Sequence, residues 1–63
     1  MGSTVADIKR RLQEAGEREF AVLERALVAD TRRGVREAVE VARRRLAGER
    51  AERERVARLY AYE

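Results

Sequence analysis

Residues 31–63 read TRRGVREAVEVARRRLAGERAERERVARLYAYE, and this stretch decides the fold. It holds ten arginines and six acids, with no proline and no cysteine. Val35, Val39, Ala42 and Leu46 recur at spacings of 4, 3 and 4, the apolar seam of a helix packed on one side. Continued, the seam reaches Glu49 and Arg53, which are not core residues. It turns apolar again at Val56 and Tyr60. The pattern predicts one long helix over about 31–62 with a packed first half, a solvated middle at 48–55 and a partly apolar end. Glu40/Arg44, Glu49/Arg53 and Glu54/Arg58 stand at i,i+4 with the acid first, each worth ~0.2–0.5 kcal/mol, which keeps the middle helical without burial. Gly48 is roughly 1 kcal/mol worse than alanine inside a helix and marks the expected kink or break. The run stops inside apparent structure, as a piece of a larger protein would.

Two shorter helices precede it. Over about 4–15, Val5, Ile8, Leu12 and Ala15 fall on one helical face. Thr4 can cap the start, with Asp7 three residues on in the manner of a capping box. Gly16 stands where a left-handed C′ residue would end this helix. Over about 17–29, Glu17 and Glu19 lie in the dipole-favoured first turn, and Phe20, Leu23 and Leu27 form the stripe. Asp30 and Thr31 break that pattern, and either can cap the long helix. Period-2 alternation is absent and β-branched residues are sparse, so no strand is expected. The fold class is therefore all-α: a small three-helix domain with a long, protruding C-terminal helix. Residues 4–63 form one domain, and residues 1–3 a disordered tail or an expression scar. The expected core is Val5, Ile8, Leu12, Phe20, Leu23, Leu27, Val35, Val39, Ala42 and Leu46.

Composition narrows the chemistry. The 63 residues contain neither cysteine nor histidine. That removes disulfides, thiolate metal sites, the commonest metal ligand and the usual general base. No glycine-rich phosphate loop, catalytic triad or zinc spacing exists. Glu49 and Glu52 lie one turn apart, but acidic pairs are common on helices and do not mark a metal. No catalytic residue, metal ligand or cofactor is assigned. No apolar run nears the roughly 18 residues of a membrane span and no signal peptide is present, so a membrane partner is not expected and the cytoplasm is the expected location.

Charge points to a partner. Charged residues make up 43% of the chain, yet the net charge is only +3, and Lys9 is the single lysine among fifteen cations. The excess lies in residues 31–63, with ten basic against six acidic groups. Arginine carries a planar, many-donor fork that suits phosphate. At ~100° per residue Arg32, Arg36, Arg43 and Arg50 fall within about 40° of one another. Arg33, Arg44, Arg55 and Arg58 form an adjoining row, both rows lying beside the apolar seam. Arg32, Arg33, Arg36, Arg43, Arg44 and Arg50 are the candidate nucleic-acid-binding residues, through salt-dependent phosphate contacts blind to sequence. The competing reading is a solvated face neutralised by Glu37, Glu40 and Glu54. A stable long coiled coil is disfavoured by the two charged seam positions, Glu49 and Arg53.

Order and spacing then resemble a family. Thr4-Val5-Ala6-Asp7-Ile8-Lys9-Arg10-Arg11-Leu12-Gln13-Glu14 is followed by Asp30-Thr31-Arg32-Arg33-Gly34-Val35, and then by a charged helix ending Tyr62-Glu63. This is similar to the N-terminal extension of bacterial ribonuclease HII over about residues 4–63. The resemblance implies an accessory domain that assists binding of RNA–DNA hybrid by a downstream catalytic domain. That parent would be an endonuclease using Mg²⁺ or Mn²⁺, with its catalytic carboxylates beyond Glu63. The implied partners are hybrid or duplex nucleic acid, bound weakly, and the catalytic domain. The domain of the related ribonuclease HIII is mixed α/β, and this sequence departs from it in having no strand signal. The alternative is a structural or interaction module whose long helix docks on a partner domain or self-associates through its end, where Val56, Leu59, Tyr60 and Tyr62 would form the surface.

Overall fold

The computed structural model describes residues 3–61 and contains three helices: α1 (Val5–Glu14), α2 (Glu17–Ala26) and α3 (Arg33–Ala61). No strand occurs among the described residues. The all-α expectation therefore holds, with α3 projecting from a small three-helix cluster. At ~1.5 Å per residue the 29 residues of α3 span about 43 Å. That length sets the 53 Å long axis of a body only 17 Å across.

Thr4 Oγ1 accepts a hydrogen bond from the Asp7 backbone N–H at 3.2 Å, so α1 opens as its sequence predicts. Its end differs. Gly16 has φ −82° and is not left-handed; it is the extended N-cap of α2, and its carbonyl accepts from Phe20 N at 2.8 Å. Ala15, also extended, ends α1, and its carbonyl finds a partner elsewhere in the fold.

α2 stops at Ala26, three residues before the expected boundary, and 27–29 form a turn. Asp30 N–H donates to Leu27 O at 3.0 Å, closing that turn. Asp30 Oδ1 then accepts from the Arg32 backbone N–H at 3.0 Å. This local bond competes with helix, and delays α3 to Arg33 rather than Thr31. Of the two expected caps, Asp30 is the one whose side chain takes a backbone N–H. Tyr62 and Glu63, which include the expected end of α3, lie outside the described residues, as do Met1 and Gly2.

The core lies between α1 and α3. Ile8, Leu12, Val35, Ala38 and Ala42 form its buried cluster, with Leu12 and Val35 fully buried; Leu46 is buried as well. Phe20, Leu23, Leu27, Val5 and Val39 pack against this cluster but are only partly buried. Of the ten residues expected in the core, five are thus buried and five flank it partly buried. α2 buries none of its own residues. Two alanines not expected in the core, Ala15 and Ala38, are buried instead. The seam of α3 divides: Ala38 and Ala42 serve α1, where small side chains let the helices approach, and Val39 lies on the α2 side. Gly48 does not break α3, which is helical from Arg33 to Ala61.

Candidate nucleic-acid interface

The candidate arginines separate into two groups according to what faces them. Arg32, Arg43 and Arg50 are tertiary cross-links. Arg32 Nη1 donates to Ser3 O at 2.9 Å, tying the start of α3 to the chain entering α1, while its Nη2 meets Asp30 Oδ2 at 2.7 Å. Arg43 binds Glu24 of α2 and, at 2.8 Å, Glu40 of its own helix. Arg50 Nε donates to Glu17 Oε1 of α2 at 3.2 Å. The row expected to track a phosphate backbone therefore turns largely toward the neighbouring helices.

Arg33 and Arg44 lie on the open side of α3. Arg33 pairs with Glu37 at 3.2 Å and Arg44 with Glu40 at 3.4 Å, both one turn away. Their side chains are 92% and 79% exposed, against 45% and 53% for Arg32 and Arg43. Exposed pairs of this kind contribute ~0–1 kcal/mol and exchange readily for another anion. Arg36, exposed and lining a shallow groove between α2 and α3 with Arg25, makes no ion pair among the described residues. The second row thus lies opposite the core, not beside the seam.

Protonation follows these partners. The side chain of Arg32, then its backbone N–H, holds the Asp30 carboxyl below the usual carboxylate range. Glu24 holds the Arg43 guanidinium above its ordinary value, as Asp30 does for Arg32.

Two arginines outside the expected set carry much of the architecture. Arg45 Nη2 donates to the carbonyls of Leu12 (3.0 Å) and Ala15 (2.8 Å), the unsatisfied acceptors at the end of α1. Arg53 Nη2 donates to Glu17 Oε1 at 2.9 Å. Arg45 stands next to Leu46 and three residues after Ala42, at the edge of the buried seam, and that position was its available signal.

Among the described residues no group of three or more acidic side chains comes together to hold a metal ion. Glu49 and Glu52 are each turned to an arginine, Arg45 and Arg55 respectively.

The chain matches, over residues 4–63, the family described as the ribonuclease HII N-terminal domain. It belongs to that family. No curated protein and no solved structure matched it. The resemblance read from Thr4–Glu14 and Asp30–Val35 is thereby established, and the ribonuclease HII N-terminal domain here is a three-helix structure. Its second motif now has a structural basis. Gly34 abuts Val5, with no room for a side chain between α1 and α3. No helix among the described residues is long and apolar enough to cross a membrane.

Proposed function

We propose that this domain is a non-catalytic accessory of a ribonuclease HII and helps a downstream catalytic domain hold RNA–DNA hybrid or duplex substrate in the cytoplasm. Membership of the ribonuclease HII N-terminal family over residues 4–63 carries this reading. The exposed guanidinium groups of α3 supply the chemistry: Arg33, Arg36 and Arg44 can take phosphate oxygens without giving up a tie to another helix. Such contacts position a duplex and do not read its bases. Cleavage, and the Mg²⁺ or Mn²⁺ it requires, belong to the catalytic domain. Titration of a labelled hybrid at ~0.05 M and ~0.2 M salt tests the reading. Binding at the lower salt that weakens steeply at the higher is expected. No binding at the lower salt overturns it.

A second reading has its own observation. Val56, Leu59 and Tyr60 are 39%, 68% and 70% exposed, on a part of α3 that meets no other apolar element. They suit a docking contact with the catalytic domain or with a second copy. Sedimentation of the parent against Leu59→Glu distinguishes these. A concentration-dependent dimer abolished by the substitution supports self-association, and a monomer at every concentration excludes it.

A further inference from the structure

Three guanidinium groups of α3 converge on one short stretch of chain, residues 12–17, where α1 ends and α2 begins. Arg45 donates to the carbonyls of Leu12 and Ala15. Arg50 Nε and Arg53 Nη2 share Glu17 Oε1, at 3.2 and 2.9 Å. Gly48 lies between the first anchor and the other two. Arg45 Nη1 also reaches past it to Glu49 Oε1, at 3.4 Å.

Gly48 has nothing within 4 Å of where its Cβ would stand, so no packing stiffens the helix at that point. Glycine is also the ordinary residue least committed to helix after proline. Left to itself, α3 would be weakest here. The residues beyond it, from Glu49 to Ala61, are exposed, and none joins the core cluster.

We infer that the α1–α2 turn is a splint across a hinge at Gly48. Arg45 fixes α3 before the glycine, and Arg50 with Arg53 fix it after the glycine, all to residues 12–17. The arm from Glu49 to Ala61 keeps its direction while both anchors hold. Glu17 is the acceptor for both distal arginines, so one carboxylate governs release. Without it, the arm is held by the backbone at Gly48 and the Arg45–Glu49 pair. The distal anchor, Arg50 and Arg53 on Glu17, is a pair of exposed ion pairs, and salt weakens it. The arm is therefore stiff at low ionic strength and swings about Gly48 once the clasp opens.

The chain contains no cysteine, so Ala21→Cys on α2 and Ala57→Cys on the arm create two unique spin-label sites, both exposed. Pulsed dipolar spectroscopy then reads the α2–arm distance distribution. The parent at ~0.1 M salt gives one narrow peak. Glu17→Gln widens it about twofold, and adding Gly48→Ala to that variant restores the parent width. Raising salt to ~1 M shortens the screening length from about 10 to about 3 Å and widens the parent peak in the same way. That arm reads the clasp even if Glu17→Gln fails to fold. An unchanged width in both Glu17→Gln and high salt overturns the splint. A width that stays broad after Gly48→Ala is added overturns the hinge.

Discussion

Val5 Cγ1 lies 2.6 Å from the point where a Cβ on Gly34 would stand, closer than two carbon atoms can approach. Here the first turn of α3 meets the first turn of α1. Helix propensity favours alanine at 34 by ~1 kcal/mol. The clash opposes it, because a β-branched valine is stiff at χ1 and overpacking costs ~1–3 kcal/mol. Gly34→Ala is expected to lower stability by about 1 kcal/mol net, read as a drop of ~4–8 °C in melting temperature. Val5→Ala in the same chain should recover most of that loss. An increase in stability from Gly34→Ala alone would contradict the close approach.

Gly48 makes the opposite case. Its Cβ position is open and its backbone is helical. Gly48→Ala removes unfolded-state freedom with no clash, and should raise stability by about 0.4–1 kcal/mol. Chemical denaturation with an unchanged slope and a higher midpoint is the expected record. One substitution type, at two glycines of one helix, should thus change sign between positions 34 and 48.

Arg45 is expected to be the arginine least tolerant of replacement. Its guanidinium satisfies two carbonyls at the C-terminal end of α1, where the helix dipole also favours a cation. Arg45→Ala leaves those carbonyls to water and removes the packing of the side-chain stem, a loss of ~1–2 kcal/mol. Arg45→Lys keeps the charge but not the planar fork, and should recover part of it. Amide exchange in α1 reports this locally: protection at its last turn should fall in both variants, more in Arg45→Ala.

These residues also show how far a sequence can be read. The seam at Val35, Val39, Ala42 and Leu46 was legible because helical spacing alone determines a face. Thr4 was legible because a cap acts within three residues. Gly16 was not, because its role depended on where the α1 carbonyls go, and they go to Arg45, thirty positions beyond Ala15. The candidate arginines were legible as a row but not as contacts. A wheel places Arg43 and Arg50 on a face; it cannot say that Glu24 and Glu17 of α2 will lie opposite them.

Asp30 and Arg32 give a pH dependence with a definite sign. The guanidinium and backbone N–H of Arg32 hold the Asp30 carboxyl below the usual carboxylate range in the folded chain. A depressed carboxyl pKa contributes stability that is present above the unfolded value and lost as pH falls through the folded one. The loop before α3 should therefore loosen on acidification below about pH 4, near the ordinary aspartate value. Asp30→Asn should remove this contribution at neutral pH and flatten the acid limb of the melting temperature. Equal acid limbs in parent and variant would show that the pair does not couple to folding.

The division between cross-linking and open-face arginines makes the binding proposal testable without confusing affinity with stability. Arg33→Gln, Arg36→Gln and Arg44→Gln together remove three cations that hold no other helix. Arg32→Gln, Arg43→Gln and Arg50→Gln remove the same charge but cut the ties to Ser3, Glu24 and Glu17. The first triple should stay near the parent melting temperature, since surface changes are usually within ~0.5 kcal/mol each. If its arginines meet phosphates, its salt slope for hybrid binding should fall by up to roughly 2–3, at about 0.9 for each phosphate no longer neutralised. The second triple should melt several degrees lower. Its affinity, measured well below that melting point, should fall less, because its guanidinium groups are turned to Ser3, Glu24 and Glu17 elsewhere in the fold. A first triple that binds hybrid as the parent does would remove the open face of α3 from the interface. The cross-linking row would then have to give up its carboxylates to serve phosphate.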